Sequence, residues 1–201
     1  MTFSAPQYIP GETDLVLLIG PEEIRFEANH NILASQSKFF EAACRENFKE
    51  GNERVIKLPE VQFEPMIKVL AWLYRADPEV PDDFMGDEPT STILNILDVA
   101  DFLYIDDLVK DYSRSVERKL QAWDPSVTQI EAAEFGNCVK VMNKIYQARG
   151  SIKRRELLNF FRKLKSSSRN ISWLMDAASK VAEPNGKFYQ NLSYVVMKSC
   201  I

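Results

Sequence analysis

The organisation of this chain depends on the segment Phe26-Glu27-Ala28-Asn29-His30-Asn31-Ile32-Leu33-Ala34-Ser35-Gln36-Ser37-Lys38-Phe39-Phe40. It starts where a β-type run ends, and its apolar residues then recur with helical spacing. Two adjacent phenylalanines lie at its end, and we expect that they are not both exposed to solvent unless they have a function there. We therefore predict one inner helix that follows a strand and joins the β part of the chain to a helical remainder.

The residues before this segment predict a β-hairpin. Asp14 to Ile19 form an apolar run of strand length that ends at Gly20-Pro21, and Ile24-Arg25-Phe26 form the second run. Because the first run is apolar on both faces, we expect a central strand that is buried on both sides. Residues 1–11 contain two prolines and predict an extended or flexible leader.

The residues after the segment predict a strand and then helices. Val55 to Leu58 form a third strand that Pro59 ends. A helix follows between Glu60 and Tyr74, and its expected core residues are Phe63, Met66, Ile67, Leu70, Trp72 and either Leu73 or Tyr74. Two later helices have the apolar faces Ile93, Ile96, Leu97, Ala100, Leu103 and Tyr104, and Leu108, Tyr112, Val116 and Leu120.

Two further stretches complete the predicted organisation. Residues 75–90 are rich in proline and acidic residues and predict a loop, with Thr90 or Ser91 capping the next helix. Residues 122–201 predict an all-helical extension with helices at about 125–148, 151–165, 170–182 and 187–200. Asp124-Pro125 is a typical start for the first of them.

Composition limits the class of protein. The chain has 201 residues, 45% of them apolar, which is ordinary for a globular protein. Its net charge of −4 argues against nucleic acid as a direct partner. Three cysteines without C-x-x-C spacing indicate reduced thiols inside the cell. Because no signal peptide or membrane-spanning run is evident, we expect a cytoplasmic or nuclear location and no membrane partner.

The order of these elements resembles the BTB/POZ domain, over residues 12–121. Two stretches carry most of the resemblance: Asp14-Leu15-Val16 is similar to the family's opening strand, and Phe26 to Phe40 is similar to the family segment F-x-V-H-K-x-V-L-x-x-x-S-x-x-F. Three shorter stretches also match the family pattern, and they are Ile56-x-Leu58, Trp72-Leu73-Tyr74 and Val99-Ala100-Asp101-Phe102-Leu103. The acidic loop and Trp123-Asp124 look most like fungal-type BTB proteins. The resemblance implies an α+β fold with a small sheet flanked by helices, followed here by the C-terminal helical extension.

Two departures from the family pattern bear on structure. Asn29, rather than His30, stands at the family's histidine, and because asparagine also donates and accepts hydrogen bonds, we expect the strand–helix junction to survive. Pro6 and Pro10 leave no room for the N-terminal helix and strand that many family dimers exchange. A homodimer is therefore expected only without that swapped element.

The sequence predicts no catalytic residues, no metal site and no cofactor. A single histidine, His30, excludes a two-histidine metal site, and no phosphate-binding glycine motif is present. A cysteine–histidine nucleophile pair is the alternative to a structural junction histidine. The acidic residues of the 75–90 loop lack the spacing of a calcium loop and are expected to be solvated. The basic residues between 153 and 169 are read either as a solvated helix face or as an import or acidic-partner site.

The segment Phe48-Lys49-Glu50 resembles the hydrophobic-x-Glu element with which BTB adaptors contact a cullin-3 scaffold. The resemblance implies a partner-binding surface that includes Phe48, Glu50, Tyr74 and Tyr104, with the C-terminal helices recruiting an unidentified client. The bland alternative is that Phe48 folds back onto its own core. The alternative to the adaptor function is a self-associating scaffold or a transcription-related assembly factor without a ubiquitin ligase role. In both cases the protein is an interaction protein and not an enzyme.

Overall fold

The computed structural model describes residues 2–4, 13–74, 80, 84–122 and 132–149, and the single positions 176, 179, 180, 190, 193 and 194. Its elements are β1 (Thr2–Ser4), β2 (Leu15–Ile19), β3 (Ile24–Ala28), α1 (His30–Gln36), α2 (Lys38–Ala43), α3 (Lys49–Glu53), β4 (Val55–Leu58), α4 (Phe63–Leu73), α5 (Asp87–Phe102), α6 (Asp106–Ala122) and α7 (Ala132–Arg149). The single positions after residue 149 are helical and fall within the predicted helices 170–182 and 187–200. The rest of those helices, the predicted helix 151–165, the basic residues 153–169 and Trp123-Asp124-Pro125 lie outside the described residues.

The chain divides into two compact units. The first unit contains Met1–Glu79 and Asn95–Lys110, and the second contains Val80–Leu94 and Asp111–Ile201. The first unit holds the sheet. The first of the predicted C-terminal helices is present in the second unit as α7.

The sheet has four strands in the order β1-β3-β2-β4. The predicted hairpin is confirmed, because β2 and β3 pair antiparallel with Leu17 opposite Phe26. β4 pairs parallel with β2, and Leu17 lies opposite Ile56. The hairpin turn uses positive φ at Gly20 (75°) and Glu23 (49°). Glycine adopts this conformation without strain, which accounts for its position directly after β2.

The central position of β2 is confirmed, but its burial on both faces is wrong. Leu15, Leu17 and Ile19 are buried, whereas Val16 and Leu18 are half-buried. Successive side chains of a strand point to opposite faces, and here only one face is fully covered. The apolar run therefore predicted the strand correctly, but it did not predict that only one face of the strand is fully buried by the rest of the protein.

Residues 1–11, which were expected to form an extended or flexible leader, include a short strand. Thr2–Ser4 form β1, which pairs parallel with β3 and has Phe3 opposite Phe26. Proline removes a ladder donor only at its own position. Pro6 and Pro10 therefore do not prevent three earlier residues from adding to the sheet.

The single inner helix that the sequence predicts is two helices. Ser37 is extended (φ −132°, ψ 121°) and stands between α1 and α2. Its Oγ accepts a hydrogen bond from the Phe40 N–H and donates one to the Leu103 carbonyl, at 3.2 and 2.6 Å. A serine that caps a new helix competes with continuation of the old one, which explains the break.

Most of the expected core is confirmed, with local errors in helix register. Of the five residues expected to share one interior, Leu33, Phe40, Leu70 and Ala100 are almost fully buried, whereas Val16 is only half-buried. In α4 the buried face is Pro65, Met66, Val69, Leu70 and Leu73, while Phe63, Ile67 and Trp72 are half-buried. In the α5 region Tyr104 is 64% exposed and is not a core residue.

The second unit corrects the predicted loop and cap. α5 begins at Asp87, so the loop ends earlier and neither Thr90 nor Ser91 is the cap. Asp87 and Glu88 lie in the first turn, where carboxylates favour the helix dipole, and proline is tolerated at the next position.

Asn137 of α7 holds this loop. The Asn137 side chain is buried, and its amide donates to the Met85 carbonyl at 3.0 Å and to the Asp87 carboxylate at 2.7 Å.

Within the part of the chain that the structure describes, no helix is both long enough and apolar enough to span a membrane.

Candidate protein-binding surface

A short turn between α2 and β4 presents Phe48 to solvent. The Phe48 N–H donates to the Arg45 carbonyl at 3.0 Å, and the Asn52 side-chain amide donates to the Glu46 and Phe48 carbonyls at 2.6 and 3.2 Å. These bonds satisfy the backbone of the turn without help from the core. Phe48 is 48% exposed, so it does not fold back onto the interior.

Gly51 allows this turn to pack closely on the end of α2. A Cβ at Gly51 would lie 2.1 Å from the Arg45 carbonyl oxygen, so no other residue fits without movement of the backbone. Arg54 then ends α3 in the left-handed region (φ 55°), and its carbonyl accepts the Val16 N–H at 2.9 Å. Both ends of the turn are thereby attached to the body of the first unit, and Phe48 is held in a defined position.

Phe48 lies at the edge of an apolar groove of about 470 Å³, which we call the Phe48 groove. Its lining residues come from α2, α3, β4 and the turn after α5, and they are Lys38, Phe39, Ala42, Ala43, Phe48, Glu50, Ile56, Lys57 and Tyr104. Tyr104 has positive φ (53°), and the chain turns there so that the Ile105 N–H reaches the Ala100 carbonyl at 2.8 Å. Three of the four sequence-predicted residues therefore meet at one groove.

The rim of the Phe48 groove carries charges of both signs. Lys38 and Lys57 lie on one part of the lining and Glu50 on another. Lys57 also contacts Glu23 through an ion pair of 2.7 Å, and both side chains are more than half exposed. Such exposed pairs contribute little to stability, so these charges remain available to a partner.

Tyr74, the fourth predicted residue, does not line this groove. It ends α4, is half-buried, and its hydroxyl accepts the Asn29 N–H at 2.8 Å. Burial raises the pKa of the Tyr74 hydroxyl. Its observed contact is thus with the strand–helix junction, and a role in partner binding stays a prediction.

The strand–helix junction is intact despite the asparagine. The Asn29 carboxamide oxygen accepts the N–H groups of Asn31 and Ile32 and caps α1. The His30 N–H donates to the Asp14 carboxylate at 2.9 Å, and the His30 ring Nδ1 contacts the same carboxylate. His30 is therefore engaged as a junction residue.

The two described cysteines, Cys44 and Cys138, do not have the environment of a nucleophile. Burial raises the pKa of the Cys44 thiol, although the charge of Arg54 acts in the opposite direction. Burial also raises the pKa of Cys138, which is fully enclosed. A thiol reacts as the thiolate, and raised pKa values disfavour it. Among the described residues, no cluster of three or more histidine, cysteine or carboxylate side chains is suited to a metal ion.

A second groove, of about 270 Å³, was not predicted from the sequence. It lies between residues 60–65 and α5 and is lined by Glu60, Val61, Gln62, Pro65, Asn95, Asp98, Val99 and Phe102. Phe102 is 45% exposed, and its ring centroid is 5.3 Å from that of Phe39 in the Phe48 groove. Neighbouring residues on a helix point about 100° apart, so a buried Phe40 could have indicated that the Phe39 side chain points away from the core. No sequence pattern indicated that Phe102 lines a groove.

Comparison with known proteins gives one family. The family model described as the BTB/POZ domain matches residues 11–120, more than half of the chain and the whole range that contains the residues of both grooves. No curated protein matches the chain. The narrower likeness to fungal-type proteins stays a prediction.

Proposed function

The chain belongs to the BTB/POZ family, and we propose that it is an adaptor that links a client protein to a cullin-3-type ubiquitin ligase scaffold. The BTB/POZ domain makes it a protein–protein interaction module. The scaffold-binding role is supported by one observation above the others: Phe48 is half-exposed on a braced turn, with Glu50 beside it on the same groove.

The physical argument concerns preorganisation. Aromatic side chains that enter a partner's pocket often dominate the binding energy of an interface. Ordering a loop on binding costs free energy, and a turn that is already held by internal hydrogen bonds avoids most of that cost. The bonds of Asn52 and the close packing at Gly51 supply this order before any partner arrives. Glu50 then offers a carboxylate next to the aromatic anchor.

Calorimetry with the purified amino-terminal domain of a cullin-3-type scaffold tests the proposal. We expect the wild-type protein to bind and Phe48→Ala to weaken binding about 30-fold, the equivalent of about 2 kcal/mol. Glu50→Ala should weaken it less. Glu60→Ala is the control for Glu50→Ala, because Glu60 is also an exposed glutamate but lines the other groove. Absence of wild-type binding, or equal affinity of all variants, would refute the proposal.

Self-association without a ubiquitin ligase role is the second candidate, and β1 favours it. β1 is an outer strand of the sheet, and the outer side of such a strand presents backbone groups with which a strand of another chain can pair. Light scattering separates the two functions. A stable dimer without affinity for the cullin domain would favour the self-associating scaffold or transcription-related assembly factor.

We further propose that the client is recruited through the C-terminal helices, that the protein acts in the cytoplasm or nucleus, and that it has no catalytic activity. A pull-down with mass spectrometry, repeated without residues 122–201, tests client recruitment. A thermal-shift screen of metabolites and nucleotides tests the last point. Ligands that bind the folded state raise its melting temperature, so a strong stabiliser from that screen would contradict it.

A further inference from the structure

We propose that His30 is a pH sensor that controls how firmly Arg54 holds the chain segment that carries Phe48. This segment consists of residues 44–54 between α2 and β4 and is here called the Phe48 segment. The inference deepens the proposed function and takes its biological meaning from it, since it concerns the regulation of the same site. It depends on the interactions of Asp14 with both His30 and Arg54, and its test requires no cullin domain.

Asp14 and Arg54 lie at the same end of two neighbouring strands. Asp14 directly precedes β2, Arg54 directly precedes β4, and these strands are parallel with Val16 opposite Val55. The Arg54 carbonyl accepts the Val16 N–H at 2.9 Å, so the backbone of the Phe48 segment is attached here. The charges of Asp14 and Arg54 attract each other at this end of the sheet.

The Arg54 side chain depends on nearby charge, because its Nη1 atom is buried and has no hydrogen-bond partner among the described residues. Burying such a group without an acceptor costs free energy, and a neighbouring carboxylate reduces that cost. The other end of the Phe48 segment lies in the same field. Burial raises the pKa of Cys44, the charge of Arg54 opposes this effect, and the charge of Asp14 adds to it. Both ends of the segment therefore respond to the charge at Asp14.

His30 competes with Arg54 for the Asp14 carboxylate. The His30 N–H donates to one carboxylate oxygen at 2.9 Å, and the ring Nδ1 contacts the other oxygen. Histidine is the side-chain type that gains or loses a proton between about pH 5 and 8. Protonated His30 neutralises the charge of Asp14 and also repels Arg54, so both effects weaken the hold on Arg54. With His30 neutral, the charge of Asp14 acts on Arg54 alone.

The other groups of this cluster do not change charge over the same pH range. Cys44 follows α2 and Tyr74 follows α4, and burial raises the pKa of both side chains from values that are already alkaline. The pKa of Asp14 lies below its ordinary value of 3.8. The chain has a single histidine. A change in this cluster between about pH 5.5 and 7.5 is therefore assigned to His30.

Hydrogen exchange of the Phe48 and Asn52 N–H groups, measured by NMR on the full chain, tests the proposal. These groups donate to the Arg45 and Phe48 carbonyls at 3.0 and 3.2 Å, and their exchange reports opening of the segment. After correction for the intrinsic pH dependence of exchange, we expect protection to be about two- to fivefold higher at pH 7.5 than at pH 5.5. The Val61 N–H is the control and should not change, because it donates to the Leu58 carbonyl at 3.2 Å in the turn at the other end of β4.

Variants of His30 and Arg54 assign the effect. His30→Gln carries no charge and should show the high protection at both pH values, whereas His30→Lys carries a permanent charge and should show the low protection at both. Arg54→Gln should also show the low protection at both, and Arg54→Lys should retain the pH dependence. Thermal unfolding shows whether each variant is folded. If a His30 variant does not fold, the Arg54 pair decides the proposal.

Three results would overturn the proposal. The first is a pH dependence of the same size in His30→Gln, and the second is one that persists in Arg54→Gln. The third is an equal change at Val61, because it would show loosening of the whole first unit and not of the Phe48 segment. These results leave the cullin experiment unaffected, and a protein that binds no cullin domain can still show the expected exchange.

Discussion

Phe40 and Phe48 lie close together in sequence but in opposite environments. Phe40 is fully buried, whereas Phe48 is 48% exposed. At Phe40, the hydrogen bonds of Ser37 start α2 and tie it to the Leu103 carbonyl, so the side chain is directed into the core. At Phe48, Asn52 satisfies the turn locally. Since both residues are phenylalanines, their hydrophobicity does not distinguish them, and the hydrogen bonds of the surrounding backbone account for the burial of one ring and the exposure of the other.

The largest expected difference is in stability when each ring is removed. Phe40→Ala should lower the free energy of unfolding by about 3–5 kcal/mol, because it leaves a cavity in the core. Phe48→Ala should change it by no more than about 0.5 kcal/mol, since the ring is half in water. Urea denaturation followed by circular dichroism measures both. Similar losses for the two variants would mean that Phe48 is part of the core after all.

The next prediction concerns the close packing under Phe48. Gly51→Ala should destabilise the protein by about 1–3 kcal/mol, because the new methyl group overlaps the Arg45 carbonyl and the turn has to move. Gly136→Ala is the control, since among the described residues no atom beyond its chain neighbours and its own helix backbone lies within 4 Å of a Cβ at that position. It should stabilise by about 0.5–1 kcal/mol. Thermal unfolding should thus give shifts of opposite sign, and a neutral Gly51→Ala would show that the turn is not held by this contact.

On the buried side, Ser37 carries the corresponding test. Ser37→Ala removes the α2 cap and leaves the buried Leu103 carbonyl without its donor, and we expect a loss of about 1–2 kcal/mol. Ser35→Ala removes a single bond to the Ile32 carbonyl on an exposed part of α1. It should be neutral within about 0.5 kcal/mol. If Ser35→Ala and Ser37→Ala lowered the free energy of unfolding equally in chemical denaturation, the Ser37 hydrogen bonds at the break between α1 and α2 would not contribute more than an exposed bond.

The smallest effect is a dependence on pH at the start of the same segment. Burial acts to raise the pKa of Asp14, but hydrogen bonds from His30 and the charges of His30 and Arg54 outweigh it, so the pKa lies below its ordinary value of 3.8. The ionised form is therefore favoured by folding. The contribution is present above pH 3.8 and is lost as the pH falls from there through the folded-state pKa.

Urea titrations between neutral and acid pH measure this contribution. The stability difference between wild type and Asp14→Asn should be largest at neutral pH and should shrink below pH 3.8. Because the Asp14 side chain is 40% exposed, solvent keeps the difference small. A difference that stays constant over the whole range would show that His30 does not hold the carboxylate in its ionised form.

Local patterns in the sequence were enough to predict most of the fold. The hairpin, the strand after the polar turn and the order of the helices follow from alternation, helical spacing and proline or glycine at the ends. The family resemblance agrees with the matched range of the BTB/POZ model. The core residues Leu33, Phe40, Leu70 and Ala100 were identified because each repeats the period of its own element.

The grooves depend on contacts between distant parts of the chain. Phe48, Glu50 and Tyr104 were expected on one surface, and they share a groove only because the turn after α5 reverses at Tyr104 and reaches the α2–β4 region. Tyr74 fits the same resemblance, yet its hydroxyl is held by Asn29 and does not reach the groove. Glu60 and Asp98 line the second groove from separate elements, and no spacing in the sequence links them. Secondary structure follows from neighbouring residues, so the sequence alone predicted the elements. A groove is formed by side chains from separate elements that only folding brings together, so the tertiary structure decided which side chains line it.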